Sequence, residues 1–271
     1  MKPTFSKHWR TLAATALAGS LLASPLMAGH SWSNYHWWLG ATGEVNVPVD
    51  ANLSGPWPGH LQIAVEEWNK SLVIQAPAIQ QGTANPKTCK PVAGRIQACN
   101  ASYGRTGWLG LAQIWLANGH ISQGVTKLND TYFNMAAYNT PSWRQLVTCQ
   151  EIGHDYGLGH QDEDSSTDLT TSCMDYTNKP QGNEYPDQHD YDQLMTIYNG
   201  TRHTSTETTA SITSRLPSDA AGGDTPADWG RAIQYTRDGR PFVFEKMLPS
   251  GRKMITHVFW AIGEGPRRPH D

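Results

Sequence analysis

The most informative stretch of this sequence is CQEIGHDYGLGHQDED, which begins shortly after the midpoint of the chain. Side chains four residues apart share one face of a helix, so Gln150 and His154 point the same way, with Glu151 beside them. Gly157 is suited to ending such a helix, because glycine adopts positive φ without strain, and a turn there returns His160 to that face. Two imidazoles, an amide oxygen and a carboxylate at this spacing are groups that can hold a metal ion and move a proton beside it.

A second short stretch, SCMDY, follows and contains Met174 and Tyr176. Together the two stretches resemble the metzincin clan of zinc endopeptidases, whose motif is H-E-x-x-H-x-x-G-x-x-H followed by a Met-turn. Every fixed position of the motif is matched except the first histidine, where Gln150 stands. SCMDY is similar to the S-x-M-x-Y turn of the astacin-like and serralysin-like members, in which the methionine underlies the metal site and the tyrosine can approach the metal.

The resemblance implies a zinc-dependent endopeptidase that holds one zinc ion through Gln150, His154 and His160. A catalytic zinc ion lowers the pKa of its bound water to about 7. Glu151 would act on that water as general base, and Tyr176 would stabilise the oxyanion or serve as an additional ligand. The substrate would be a peptide or protein bound as an added strand in an extended cleft.

The glutamine leaves three interpretations of this site open. In the first, Gln150 ligates the metal through its side-chain oxygen, with help from Tyr176, and the enzyme is active. In the second, the metal is held by another arrangement that recruits an aspartate: Asp162 or Asp175, or less favourably Asp155, which adjoins His154 and should point off its face. In the third, the site holds no metal, and the chain is a catalytically inactive pseudoprotease that binds peptides or proteins.

The acidic run that follows the motif, residues 161–164, is typical of a solvated loop. Several carboxylates close together also suit Ca²⁺. Their spacing matches no calcium-binding loop, so the sequence does not support a calcium site there.

The helix that carries the motif is predicted to begin at Thr140, which can cap its free amides, with Pro141 in the first turn. Before it, two β-type runs at 108–116 and 120–128 are joined by Asn-Gly, a strong hairpin signal. The helix is predicted to end at Gly157.

Four further segments indicate the fold class. Strand patterns at 43–53 and 71–79 flank a helix at 59–70 with one apolar face, and another helix is predicted at 188–199. These alternations indicate an α/β (α+β) fold with a mixed twisted sheet. The resemblance implies a metzincin-like order within it: active-site helix, Met-turn and C-terminal helix.

Composition divides the chain into four parts. Residues 1–28 have the basic region, short apolar run and terminal small residue of a secretory signal peptide, which predicts an extracellular or periplasmic protein. Residues 29–200 would be the catalytic domain, and residues 201–228, rich in Ser, Thr, Gly and Asp, a flexible linker. Residues 229–271 are predicted to form a small β appendage, a candidate for docking on a surface or partner. His257 within it is interpreted as a packing residue rather than a ligand.

Four cysteines in an exported protein predict two disulfides, for which three pairings are open. Cys89 and Cys99 flank a short loop and are natural partners, which leaves Cys149 with Cys173. If the motif and the SCMDY turn converge, as the resemblance implies, the second bond would hold that turn beneath the metal.

Charge and hydropathy exclude two classes of partner. The formal net charge is −3, and removal of the basic signal peptide makes it more negative. Such a surface disfavours nucleic acid, whose binding needs a basic face. No segment after the signal peptide is long and apolar enough to span a bilayer.

Overall fold

The computed structural model describes most of the chain between residues 30 and 266. The described residues are 1, 30–31, 35–39, 43–164, 171–199 and 220–266. The strands are β1 (His36–Trp37), β2 (Val49–Asn52), β3 (Gln80–Gln81), β4 (Ile96–Ala101), β5 (Trp108–Ala117), β6 (His120–Asn129), β7 (Arg231–Tyr235), β8 (Pro241–Met247) and β9 (Lys253–Trp260). The helices are α1 (Trp57–Trp68), α2 (Asp130–Phe133), α3 (Pro141–Asp155), α4 (Gln188–Asn199) and α5 (Pro226–Trp229).

The described strands form one mixed nine-stranded sheet. Its order is β3-β2-β4-β6-β5-β9-β8-β7, and β1 pairs with β6. Strands β1 to β4 and β6 pair in parallel, whereas β5 and β7 to β9 pair antiparallel with their neighbours. The expectation of a mixed α/β architecture is therefore confirmed at this level.

The C-terminal strands belong to the same sheet as the motif-bearing half of the chain. Strand β9 pairs antiparallel with β5 along most of its length, and β5 pairs with β6 on its other edge. The segment expected as a β appendage thus extends the central sheet, and its side chains Phe242, Phe259 and Trp260 are buried in the common core. The predicted signal peptide beyond residue 1, and the predicted linker up to residue 219, lie outside the described residues.

Helix α3 begins and ends where local chemistry predicts. The Thr140 hydroxyl accepts a hydrogen bond from the Trp143 amide at 3.2 Å, and Pro141 occupies the first turn. Gly157 follows the helix with φ 97°. A Cβ at this position would collide with the carbonyl oxygen of Tyr35, so the turn requires glycine for both its φ and its space.

Of the other elements expected from the sequence, the hairpin and two helices are confirmed and one strand is wrong. Asn118 and Gly119 join β5 to β6 with φ 52° and 82°, as a two-residue hairpin turn requires. Helices α1 and α4 lie where expected. The strand predicted at 71–79 is wrong: only Ile74 forms a bridge there, to Val45. The side chain of Asn69 instead bonds both backbone groups of Ala76 and holds this segment as a loop.

Both predicted disulfides, Cys89–Cys99 and Cys149–Cys173, are present. Disulfides of this kind are typical of an oxidising compartment. Among the described residues, no helix has the length and apolar character needed to cross a bilayer.

Candidate metal centre

Three buried histidines from separate parts of the chain meet at one point. His154 lies in the last turn of α3, His160 in the loop that follows, and His257 in β9; their ligand nitrogens all lie within 4.8 Å of one another. The Nε2 atoms of His154 and His160 are 3.2 Å apart. Two nitrogens bound to one tetrahedral zinc at 2.0–2.1 Å would be about 3.3–3.4 Å apart. The spacing of this pair therefore matches that of two ligands of one ion.

The sheet register carries His257 to this point. In the antiparallel pair, His257 lies directly opposite Ala112 of β5, and opposed residues share a face of the sheet. Gly110, two residues before Ala112, is on that same face and lies against Glu151 of α3. His257 thus points from the sheet toward the helix that carries His154.

The ring of His154 is oriented by the turn that ends α3. Its Nδ1 lies 2.8 Å from the carbonyl oxygen of Leu158, just after Gly157. In a neutral ring, Nδ1–H donates to this carbonyl and the lone pair is left on Nε2, which faces His160. Metal-bound histidines are held by this kind of outer hydrogen bond.

All three rings are neutral near pH 7. Burial lowers the pKa of His154 to about 3. Burial, and then the nearby His154, holds the pKa of His160 and of His257 well below the usual value. Neutral imidazole is the form that binds a metal, so the cluster needs no deprotonation to accept one.

Aromatic side chains enclose the cluster. The ring of Phe242 stacks on His160 at 4.9 Å, and that of Tyr176 lies 5.1 Å from His160. The rings of His154 and His257 are 3.7 Å apart. His160 remains 7% exposed, and the other two histidines 1% or less, so the cluster is almost completely shielded from bulk solvent.

Glu151, three residues before His154 on α3, is buried and has no hydrogen-bond partner among the described residues. Burial, and then the neighbouring Asp155, raise the pKa of its carboxyl well above the usual value. Asp155 is itself engaged elsewhere, since its Oδ2 accepts a hydrogen bond from the Thr126 hydroxyl at 2.8 Å. A buried carboxyl with both oxygens unpaired is costly unless a bound group completes it.

Gln150 reaches the SCMDY turn, residues 172–176, which we call the Met-turn. Its Nε2 donates to the carbonyl oxygens of Cys173 at 2.7 Å and Asp175 at 3.0 Å. Its Oε1 is buried and accepts no hydrogen bond from a described residue. The side chain thus joins α3 to the turn on either side of Met174.

The remaining predicted residues line or support the site. The sulfur of Met174 packs against Gly153 of α3, where an added Cβ would lie only 2.5 Å from it. The hydroxyl of Tyr176 accepts a hydrogen bond from the Trp260 amide of β9 at 3.4 Å, and burial raises its pKa. Asp162 and Asp175 form a backbone bridge with each other. Within the described part of the chain, the histidine trio is the only cluster of three or more His, Cys, Asp or Glu ligands close enough to share an ion.

Comparison with known proteins adds no assignment. No protein-family model matches this chain, and no curated protein does either.

His257 is the residue that sequence reasoning missed as a metal-site candidate. Its signal is weak: a single histidine within KMITHVFW, a largely apolar strand that is buried from Met254 to Trp260. Combined with a motif that lacks one ligand, a lone histidine in a buried strand is a candidate replacement, but only the sheet register brings the two together.

Proposed function

We propose that this protein is a secreted zinc-dependent endopeptidase whose ion is held by His154, His160 and His257, with Glu151 as general base. One observation carries the proposal: three buried imidazoles converge at the end of α3, and Glu151 of the same helix is buried with no hydrogen-bond partner among the described residues. Three nitrogen ligands leave a fourth position open, which is typical of catalytic rather than structural zinc sites. The motif's resemblance to the metzincin clan supports the peptide substrate.

The donor set favours zinc. Imidazole nitrogen suits Zn²⁺, and three such ligands resemble the arrangement of hydrolytic zinc sites. Bound at this site, the ion would supply a Lewis acid and a water of lowered pKa.

Side chains of the protein would transfer the proton and shield the site from solvent. With its pKa raised by burial, the Glu151 carboxyl can take up a proton on an oxygen near neutral pH and release it to a leaving amine. Phe242 and Tyr176 pack against His160 and shield that side of the cluster from bulk water.

The second candidate is a catalytically inactive peptide- or protein-binding module. A protease of the expected kind binds its substrate as an added strand, which needs a free strand edge beside the site. Strand β5 is paired on both edges, with β6 and with β9, so a peptide cannot add to it. This pairing favours the inactive candidate. Strand β7, by contrast, has a partner on one side only in the described sheet. This candidate predicts metal without hydrolysis, or no metal at all.

The two candidates are separated by metal content and peptide hydrolysis of the purified mature protein. We expect about one zinc per chain and cleavage of a denatured protein substrate. Glu151→Gln should keep the metal and lower kcat by at least about a hundredfold, as loss of a general base does. His257→Ala should lose both metal and activity.

His120→Ala is the matched control, because His120 is also a buried strand histidine but lies at the start of β6, outside the trio. It should keep its zinc. Wild-type protein that binds zinc yet cleaves nothing would establish the inactive candidate, and His257→Ala with full metal content would refute the ligand set.

A further inference from the structure

The residue that replaces the first histidine of the motif has a defined task in this fold. A primary amide carries two N–H donors, and Gln150 gives its Nε2 to two backbone carbonyls, those of Cys173 and Asp175. These carbonyls flank Met174, so both sides of the Met-turn are tied to one side chain of α3. An imidazole has a single N–H on each ring nitrogen and could not span both carbonyls in this way.

The Met-turn in turn holds the loop of a metal-site histidine. The Met174 carbonyl accepts a hydrogen bond from the Gln161 amide at 2.8 Å, and Gln161 follows His160 directly. The Met174 amide donates to the hydroxyl of Ser172 at 2.8 Å, which fixes the turn from within. A continuous set of bonds therefore runs from Gln150 through the Met-turn to the residue beside His160.

A covalent bond runs alongside these hydrogen bonds. Cys149 and Cys173, the neighbours of Gln150 and Met174, form a disulfide. It fixes the distance between helix and turn, whereas the amide of Gln150 fixes the orientation of the turn's peptide groups. The two links are complementary because one bond alone leaves rotation free.

We infer that Gln150 is a positioning residue, which locks the Met-turn and thereby the His160 loop, and that the ligand role of its position has passed to His257 on β9. This inference rests on the proposed metal site. The inference explains why a glutamine occupies position 150. Its side chain makes two hydrogen bonds to backbone carbonyls, and the third imidazole of the metal site comes from the sheet.

The decisive substitution is Gln150→Glu, which keeps the shape but faces two carbonyl oxygens with a carboxylate. A positioning role predicts a lower Tm and Co²⁺ affinity reduced by about tenfold or more, the effect of losing an outer-shell partner. The Co²⁺ absorption bands should keep their wavelengths, since the ligands are unchanged. If position 150 instead ligates the metal, Gln150→Glu should bind Co²⁺ more tightly through its anionic oxygen, and the Co²⁺ absorption bands should shift.

Two further variants remove ambiguity. Gln150→Met deletes both donors without adding charge, so reduced Co²⁺ affinity there cannot come from repulsion. Gln145→Glu is the matched control, because Gln145 is a buried glutamine of the same helix whose Oε1 contacts His60 instead. It should leave Co²⁺ affinity unchanged.

A ligand exchange completes the test. Gln150→His introduced into His257→Ala should not restore Co²⁺ binding, because position 150 serves the Met-turn. Restored binding, tighter binding by Gln150→Glu, or equal affinity in Gln150→Met and wild type would each overturn the inference.

Metal-free protein separates this inference from the proposed function. Hydrogen exchange at the Gln161 amide should be faster in Gln150→Met than in Gln145→Met, whether or not the protein hydrolyses peptides. Equal exchange would overturn the positioning role even if zinc-dependent cleavage is found, and absent cleavage would leave it standing.

Discussion

The space that Glu151 occupies depends on a residue without a side chain. Gly110 of β5 faces α3, and a Cβ there would lie 2.5 Å from Val147 Cγ1 and 2.8 Å from Glu151 Oε1. The Cys149 carbonyl of α3 accepts a hydrogen bond from Trp68 of α1 at 3.1 Å, which restrains the helix. A methyl group at position 110 would therefore press on the side chains of both Val147 and Glu151.

Gly110→Ala is predicted to reduce kcat by tenfold or more, since a displacement of about 1 Å in a catalytic group can cost a hundredfold. Overpacking should also destabilise the fold by about 1–3 kcal/mol. Gly59→Ala is the control, because a Cβ at Gly59 of α1 meets no atom within 4 Å. Activity and urea unfolding of both variants measure this, and an unimpaired Gly110→Ala would contradict it.

At this scale the sequence predicted two of the three histidines of the candidate metal site. His154 and His160 lie on one helix and the loop behind it, so short-range spacing was enough to bring them together. The contacts of Gln150 were not predictable in this way. Sequence spacing alone could not show that its side-chain amide donates hydrogen bonds to the Met-turn. The partner of a buried polar side chain is decided by tertiary contacts.

Among the helices and strands, too, local features were predictable from the sequence and long-range contacts were not. Helix α3 was predictable since its cap, its proline and its terminal glycine are all local signals. Strand β9 was recognisable as a strand, but its place beside β5 was not, because two strands more than a hundred residues apart carry no local mark of partner or register. The third histidine was therefore missed for the same reason as the continuity of the sheet.

The two disulfides have different predicted effects on the metal. Cys149–Cys173 joins α3 to the Met-turn, whereas Cys89–Cys99 joins the start of a loop to β4. Replacing either pair by alanine should cost about 2–5 kcal/mol of stability. Only the Cys149→Ala/Cys173→Ala variant should also lose Co²⁺ affinity, under conditions where both variants remain folded. Equal affinities in calorimetric titration would count against this assignment.

Across the whole molecule, burial of the histidines links metal-free stability to pH. The folded state keeps their rings neutral, with pKa lowered to about 3 for His154 and well below the usual value for His257. The unfolded chain takes up protons below about pH 6.5, so each such group contributes stability above that pH that is lost as the pH falls. Buried Glu151 acts in the opposite direction, because its raised pKa favours the protonated folded form at low pH.

His257→Leu isolates one of these contributions. Relative to metal-free wild type, the variant should gain stability as the pH is lowered from about 6.5 to 4.5, by up to about 1.4 kcal/mol per pH unit. Urea unfolding in the presence of a chelator at pH 7.5, 6.0 and 5.0 measures the difference. A difference that stays constant over this range would show that folding does not alter the pKa of His257.

Under the proposed function, the pairing of β9 with β5 also sets the stage of folding at which the metal site becomes complete. His257 lies roughly a hundred residues after His154, and contacts across so long a loop form late in folding. A chain that is still being synthesised, or is threaded unfolded through a membrane, would have the helix motif without the strand that completes it. The proposed site would then be incomplete until β9 has paired with β5. Metal uptake would therefore report that folding is complete.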